Sequence, residues 1–216
     1  MKKVLIVTGS SRGIGAEIAM NASKNNYAVV VNYANSEDKA KEIVSEIDSN
    51  GGEAIAIKAD MSNEKDITNL FATTYNHFGS IDALVNNAGI TGGVSLIENV
   101  TSKQLEKVFA TNVSGYFLCS REAIKKMSKK NGGNGGVIIN ISSVAAKIAN
   151  PFTWVHYAAS KGAVDTFTVG LAMECADLGI RVNAVRPGMV DTELHPEGRI
   201  SNISPSIPLK RPGTTK

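Results

Sequence analysis

The chain has 216 residues, of which 43% are hydrophobic, and a formal net charge of only +3. This length suits one sizeable core, so we expect a single domain over residues 1–216. The weak charge argues against a nucleic-acid partner, and no apolar run approaches the ~20 residues of a membrane span. We therefore expect a cytoplasmic protein without nucleic-acid or membrane partners, and we predict no metal site.

Short apolar segments rich in β-branched residues alternate with longer amphipathic segments along the chain. The short segments are predicted strands, at residues 4–7, 28–33, 53–58, 83–86, 137–141 and 181–185. The longer segments are predicted helices, at residues 14–25, 36–49, 64–78, 102–129 and 157–178. This alternation predicts the α/β class, with a doubly wound parallel sheet (Rossmann fold) in a three-layer α/β/α arrangement. Ligands of such sheets bind beyond the carboxyl ends of the strands.

A glycine-rich turn follows the first predicted strand, where residues 8–15 read Thr-Gly-Ser-Ser-Arg-Gly-Ile-Gly. Glycines at this spacing let the backbone approach a pyrophosphate, and the following helix offers its positive N-terminal end. The turn therefore predicts a dinucleotide site; the alternative is a structural turn that binds no nucleotide. The predicted contacts are Gly9, Ser11, Arg12, Gly13, Ile14 and Gly15.

The end of the second predicted strand bears on the choice between NAD and NADP. An acidic residue there would bind the ribose 2′-hydroxyl and repel a 2′-phosphate. This chain has Asn32 instead, and its first carboxylates, Glu37 and Asp38, already lie in the next helix. Arg12 can pair with a phosphate through its planar guanidinium. NADP is favoured over NAD, although Arg12 could be an exposed loop residue and Asn32 tolerates either cofactor.

Tyr157 and Lys161 are four residues apart at the start of a predicted helix, which places both on one helical face. A free tyrosine has a pKa of about 10, and a neighbouring cation can lower that pKa until the phenol works as an acid/base. The strand over 137–141 ends in Ser142 and Ser143, whose hydroxyls could hold a substrate carbonyl near the phenol. A role of either serine in a turn or a cap is the alternative.

The glycine turn, the serines after the fifth predicted strand and the Tyr157/Lys161 pair together make the chain resemble a classical short-chain dehydrogenase/reductase. Within that family it is similar to a bacterial branch that includes glucose (sugar) dehydrogenases and 3-oxoacyl-carrier-protein reductases. The matching segments keep the family's order and span residues 1 to about 210. They are residues 8–15, Asp60-Met61, residues 86–89 (Asn-Asn-Ala-Gly), residues 111–113 (Thr-Asn-Val), residues 141–143, Tyr157-x3-Lys161 and residues 186–188 (Arg-Pro-Gly).

The resemblance implies roles for individual residues. Tyr157 would be the general acid/base, Lys161 would lower its pKa and bind the nicotinamide ribose, Ser143 would orient the substrate, and Asn112 would hold a water in a proton relay. Asp60 would contact adenine, although by itself it could equally cap the next helix. Asn87 could be mainly structural. The implied cofactor contacts beyond the glycine turn are Asn32, Asp60, Met61, Asn87, Ala88, Gly89, Tyr157, Lys161, Pro187, Gly188, Val190 and Thr192.

The family pattern also implies a substrate flap over residues 189–209. Family members usually continue through another helix and strand, so we expect this chain to be C-terminally shortened, with the sixth strand as a bare edge of the sheet. The resemblance further implies a dimer or a tetramer.

The expected activity is NADP(H)-dependent hydride transfer between nicotinamide and a carbonyl or secondary alcohol. A sugar-like alcohol, a 3-oxoacyl thioester and another ketone all remain open as substrates. The alternative is an NADP-binding sensor or scaffold without turnover, which would tolerate the loss of Ser143, Tyr157 and Lys161.

Overall fold

A computed structural model describes residues 2–215. Its centre is one six-stranded sheet in which every neighbouring pair of strands is parallel. The strand order is β3-β2-β1-β4-β5-β6, so β3 and β6 form the two edges. Each strand lies within one residue of its prediction: β1 (Lys3–Val7), β2 (Tyr27–Tyr33), β3 (Ala54–Lys58), β4 (Ala83–Asn86), β5 (Gly136–Ile141) and β6 (Ile180–Val185).

Helices cover both faces of the sheet, which confirms the three-layer arrangement. Their bounds are α1 (Gly13–Lys24), α2 (Glu37–Ser49), α3 (Glu64–Phe78), α4 (Ser102–Phe109), α5 (Gly115–Met127), α6 (Ala145–Ile148), α7 (Val155–Cys175) and α8 (Arg199–Ile203). Side chains of β1 alternate between the two faces because successive strand residues point in opposite directions. Ile6 packs with α3, α5 and α7, whereas Leu5 and Val7 pack with α1 and α2.

The prediction of one continuous helix over residues 102–129 is wrong. A π-helical turn (Ala110–Ser114) separates α4 from α5, and α5 ends at Met127. The π turn contains Asn112, which is fully buried. A π turn widens the helix by one residue and changes where its side chains point, and such turns occur frequently at functional sites. The amphipathic pattern did not reveal it because the same residues suit either helix type.

Buried polar side chains connect the central strands near their carboxyl ends. Asn86 of β4 donates from Nδ2 to Asn140 Oδ1 of β5 at 2.9 Å and to Ser120 Oγ of α5 at 3.1 Å. Asn140 in turn donates from Nδ2 to Thr168 Oγ1 of α7 at 2.9 Å. All four residues are buried, where hydrogen bonds are needed to offset the loss of water. The network therefore holds β4, β5, α5 and α7 in one arrangement, directly before the polar residues of the site.

The predicted flap closes into a loop with a fixed base. Val190 and Gly213 form a parallel bridge, in which Gly213 N donates to Met189 O at 2.8 Å and Asp191 N donates to Gly213 O at 3.0 Å. The flap contains α8, and one of its residues, Arg199, places its guanidinium 3.8 Å from the ring centre of Trp154. Trp154 is buried beneath the flap.

Candidate active site

The glycine turn lies directly against the chain that follows β4. Gly9 and Gly13 have φ values of +62° and +58°, which disfavour residues with a side chain. A Cβ atom on Gly9 would lie 2.9 Å from Ala88 Cα, and one on Gly15 would lie 2.5 Å from Asn87 Nδ2. The turn is therefore a close-packed cradle that leaves its backbone accessible at the start of α1, which suits a pyrophosphate.

We expect Gly15→Ala to weaken dinucleotide binding by at least about tenfold and to destabilise the protein by about 1–3 kcal/mol, because the new methyl group must displace Asn87 or the turn. Isothermal titration calorimetry and urea unfolding measure the two effects. Gly170→Ala is the matched control, since a Cβ there meets no atom within 4 Å. That control should leave binding unchanged and stabilise α7 by about 0.5–1 kcal/mol. Wild-type nucleotide affinity in Gly15→Ala would contradict the assignment of the cradle.

A cleft of about 370 Å³ opens at the carboxyl ends of the strands, next to the glycine turn. The structure brings thirteen of the predicted cofactor residues together in its lining: Gly9, Ser11, Arg12, Gly13, Ile14, Gly15, Asn32, Asp60, Met61, Asn87, Ala88, Gly89 and Thr192. The other predicted contacts, Tyr157, Lys161, Pro187, Gly188 and Val190, do not line it. Gly89 connects the cleft to Lys161, one of the predicted catalytic residues, because a Cβ on Gly89 would lie 3.5 Å from Lys161 Nζ.

Two of the predicted contacts have side chains that bind the protein itself. Asn32 accepts from Gly9 N at 2.9 Å and donates to Ala59 O at 3.0 Å, and only 1% of it is exposed. Asn87 donates to Thr8 O at 2.9 Å and Gly9 O at 3.0 Å. Both side chains therefore hold the glycine turn in place, and Asn87 has the structural role considered for it.

Asp60 lies in the cleft and does not cap the next helix. Its carboxylate accepts from the backbone and the hydroxyl of Ser62, both at 2.8 Å, which closes the turn after β3. Asn63 is the N-cap of α3 and accepts from Lys65 N at 2.9 Å. The capping alternative for Asp60 was therefore wrong, since its side chain bonds two residues ahead while Asn63 takes the cap.

Tyr157 and Ser143 are neighbours in the candidate site. Tyr157 lies in the first turn of α7, only 8% of it is exposed, and the Ser143 side chain is close enough to lower the pKa of its phenol. Ser142 points elsewhere: its hydroxyl donates to Asp165 Oδ1 at 2.7 Å. Asp165 also accepts from Arg186 Nε at 2.8 Å. Ser143 thus lies beside the phenol of Tyr157. Ser142 instead binds Asp165 of α7 and so links the end of β5 to that helix.

This arrangement predicts opposite effects for the two serines. Ser143→Ala should lower kcat by about 100-fold to 1,000-fold, as for the loss of a donor to the reacting oxygen, and change the free energy of unfolding little. Ser142→Ala should instead lower the free energy of unfolding by about 1–2 kcal/mol, because the buried Asp165 loses a donor, with a smaller effect on kcat. Steady-state kinetics and urea unfolding separate these outcomes. Equal losses of kcat in Ser143→Ala and Ser142→Ala would contradict the assignment of Ser143 as the serine that binds the substrate.

Lys161 is almost completely buried, with 2% of its surface exposed. Its ammonium donates to Ile141 O at 2.7 Å and to Tyr116 OH at 3.1 Å, and lies 5.8 Å from the ring centre of Tyr157. Burial lowers the pKa of Lys161 to about 7, against a smaller opposing effect of Asp165. Burial therefore makes the charged form of Lys161 much less favourable than that of an exposed lysine.

The expected lowering of the Tyr157 pKa is not found in this structure. Burial raises the pKa of the phenol above its ordinary value, and the Ser143 side chain opposes that rise only in part. The ammonium of Lys161 is hydrogen-bonded to Ile141 O and Tyr116 OH rather than to the phenol. Tyr157 is thus a protonated phenol at neutral pH, the form that can donate a proton.

Asn112 links the π turn to the site through both ends of its amide. Its Oδ1 accepts from Ile90 N at 2.9 Å, and its Nδ2 donates to Ile90 O at 2.9 Å and to Ser160 Oγ at 3.0 Å. A Cβ atom built on Gly89 would lie 3.4 Å from Asn112 Oδ1 and 3.5 Å from Lys161 Nζ. Asn112 therefore positions the segment after Gly89 beside Lys161.

Sequence reasoning missed Tyr116, whose hydroxyl touches both Lys161 Nζ and Ile141 O. Its signal was weak: a tyrosine four residues after Asn112 on an apolar helix also suits a plain core position. No group of histidine, cysteine or acidic residues suited to a metal ion occurs within residues 2–215. Within the same residues, no helix is long and apolar enough to cross a membrane.

The similarities to known proteins agree with this geometry. The family model "short chain dehydrogenase" matches residues 3–201. The chain is 45% identical to the uncharacterized oxidoreductase YgfF of Escherichia coli, over 97% of this chain and 87% of that protein. It is 41% identical to a 3-oxoacyl-[acyl-carrier-protein] reductase of Synechocystis, over 98% of this chain and 83% of that protein.

Further matches give the same result. Glucose 1-dehydrogenase 2 of Bacillus subtilis is 41% identical, over 88% of this chain and 73% of that protein. A crystal structure of a short chain dehydrogenase from Burkholderia cenocepacia in complex with NADP superimposes with a TM-score of 0.92 at 32% identity, covering 99% of this chain and 85% of that one. The chain therefore belongs to the short-chain dehydrogenase family and is an oxidoreductase of the Rossmann fold.

Proposed function

We propose that this protein is an NADP(H)-dependent oxidoreductase that interconverts a carbonyl and a secondary alcohol, with Tyr157 as the general acid/base. The observation that carries the proposal is the placement of the buried Tyr157 beside Ser143 and Lys161, together with a glycine cradle that fits a dinucleotide. The cradle, Asp60, Met61, residues 87–89 and Thr192 would hold the cofactor, with Lys161 at the nicotinamide ribose. When bound, the reduced nicotinamide supplies a hydride.

The protein's own groups would handle the proton. Ser143 would hold the substrate oxygen by a hydrogen bond, and Tyr157 would donate its phenolic proton to that oxygen as it gains negative charge. Burial keeps the phenol protonated at neutral pH, which suits reduction. Lys161 would return a proton to Tyr157, and a water held by Asn112 would replace the proton of Lys161 from solvent; the low pKa of Lys161 lets it exchange a proton near neutral pH.

Arg12 supports the preference for NADP. Its guanidinium lines the cleft and is half-exposed, so it is available to a 2′-phosphate. No acidic residue at the end of β2 would repel that phosphate. The next acidic residue, Glu37, lies in α2 and pairs with Lys41 at 2.7 Å. The NADP complex of the Burkholderia neighbour is consistent with this choice.

The substrate is proposed only by class: a sugar-like alcohol, a 3-oxoacyl thioester or another ketone, in line with the names of the relatives. We also propose a single catalytic domain that assembles as a dimer or a tetramer in the cytoplasm. Its two cysteines, Cys119 and Cys175, are free and buried, as is common for proteins of reducing compartments.

The proposal is tested with ketones and 3-oxoacyl thioesters, each offered with NADPH and with NADH, and with aldoses, each offered with NADP⁺ and with NAD⁺, while the nicotinamide absorbance is followed. We expect turnover with at least one carbonyl class and a higher kcat/KM with NADPH. Preference for NADH would contradict the role of Arg12. Tight NADPH binding without turnover of any carbonyl would favour the second candidate, an NADP-binding sensor or scaffold.

A further inference from the structure

Glu193 of the flap connects two cations at the cofactor cleft. One carboxylate oxygen accepts from Arg12 Nη1 at 3.0 Å, and the other accepts from Lys39 Nζ at 2.7 Å. Arg12 belongs to the glycine turn and Lys39 to α2, so Glu193 holds both elements to the flap. Its side chain and that of Arg12 line the same cleft as Asp60 and Gly13. Glu193 therefore lies where the phosphate-binding guanidinium would receive its ligand.

A carboxylate and a phosphate monoester are competing ligands for such a pair of cations. The phosphate carries a charge of about −2 and three acceptor oxygens, so it can bind Arg12 and Lys39 more strongly than one carboxylate. Both anions cannot bind the two cations closely at once, because their like charges repel. The ion pairs of Glu193 are half-exposed, and exposed pairs are weak enough to be exchanged.

We propose that Glu193 competes with the 2′-phosphate of NADP(H) for Arg12 and Lys39, so that a 2′-phosphorylated cofactor releases the flap whereas NAD(H) does not. This inference rests on the proposed NADP(H) dependence. Lys39 becomes a second phosphate ligand, and Glu193 becomes a residue that sets cofactor specificity and couples the cofactor to the flap.

The flap offers a direct readout of this coupling. Glu193 lies between the Val190–Gly213 bridge at the base of the flap and the residues His195 and Arg199, which contact Trp154. Trp154 is the only tryptophan of the chain. Displacement of Glu193 should move His195 and Arg199 relative to the indole, so intrinsic fluorescence reports on the flap alone.

The test compares 2′,5′-ADP (adenosine 2′,5′-bisphosphate) with 5′-AMP, which differ only in the 2′-phosphate, by calorimetry on the wild-type protein and on Glu193→Gln. We expect Glu193→Gln to bind 2′,5′-ADP about 3-fold to 10-fold more tightly and 5′-AMP unchanged, since only the 2′-phosphate competes with the carboxylate. Lys39→Gln should weaken 2′,5′-ADP alone. Glu197→Gln and Lys41→Gln are the matched controls: Glu197 is a flap acid without an ion pair among residues 2–215, and Lys41 pairs with Glu37. Neither should change the ratio of the two affinities.

Fluorescence gives the second measurement. Saturating 2′,5′-ADP should change the emission of Trp154 in the wild-type protein, 5′-AMP should not, and Glu193→Gln should show the changed emission without ligand. Unchanged affinity for 2′,5′-ADP in Glu193→Gln, or unchanged Trp154 emission on its binding, would overturn the inference. A wild-type protein that binds both probes equally would contradict only the proposed NADP preference. The competition would still be supported if Glu193→Gln then gained selectivity for 2′,5′-ADP.

Discussion

Tyr157→Phe should lower kcat by about 100-fold to 10,000-fold, the usual contribution of a positioned general acid. The substitution removes only the hydroxyl and keeps the ring, which packs edge-on against Trp154 with ring centres 6.0 Å apart. The affinity for NADPH should therefore remain close to that of the wild-type protein. Stopped-flow or steady-state absorbance measures kcat, and calorimetry measures the affinity.

Tyr75→Phe is the matched control for this experiment. Tyr75 is an exposed tyrosine of α3 whose ring lies beneath Lys126, and it does not line the cofactor cleft. It should keep wild-type kcat. If Tyr157→Phe also kept wild-type kcat, another group would have to supply the proton, and the assignment of Tyr157 would fail. A collapse of NADPH binding together with kcat would instead point to a role of the phenol in holding the cofactor.

Lys161→Met should remove activity and at the same time stabilise the folded protein by about 1–4 kcal/mol at pH 7. The reason is that a cation in a buried site costs free energy that an apolar side chain of similar length does not. Functional residues often carry such a cost, so their replacement can raise stability while it abolishes activity. Urea unfolding measures the stability, and the carbonyl assay measures the activity.

The stability gain should depend on pH in a defined direction. The pKa of Lys161 is about 7 in the folded protein and about 10.5 in the unfolded chain. Between these pH values the unfolded chain binds a proton that the folded protein does not, so the wild-type free energy of unfolding rises with pH. The advantage of Lys161→Met should therefore be largest at and below pH 7 and disappear near pH 10. A constant difference over this range would contradict a depressed Lys161 pKa. Lys65→Met, on the exposed start of α3, should change neither activity nor this pH dependence.

The ion pairs of Glu193 would link the preference for NADP(H) to the position of the flap. If the Glu193 carboxylate competes with the 2′-phosphate, Arg12 and Lys39 hold the flap in the absence of NADP(H) and bind the 2′-phosphate in its presence. Selectivity between the two nicotinamide cofactors would then depend on how strongly the flap holds Arg12 and Lys39. Substitutions at the far end of the flap, such as at Arg199 over Trp154, should consequently alter NADPH affinity without touching the nucleotide.

The sequence by itself determined the sheet and the cofactor cradle. Central parallel strands are buried on both faces and form nearly continuous apolar runs, so β1, β2 and β4 can be identified directly from the sequence. The glycine turn is equally local, because positive φ at Gly9 and Gly13 and the start of α1 depend on neighbouring residues. The spacing of Tyr157 and Lys161 on one helix also needs no tertiary information.

Only the tertiary structure decided how these groups meet. It bound Ser142 to Asp165, turned the ammonium of Lys161 toward Tyr116 and Ile141, and inserted the π turn that carries Asn112. It also brought Glu193 to Arg12 across 181 positions of the chain. Pattern and propensity describe a residue and its near neighbours, whereas hydrogen bonds, burial and charge depend on which distant segments the fold places in contact.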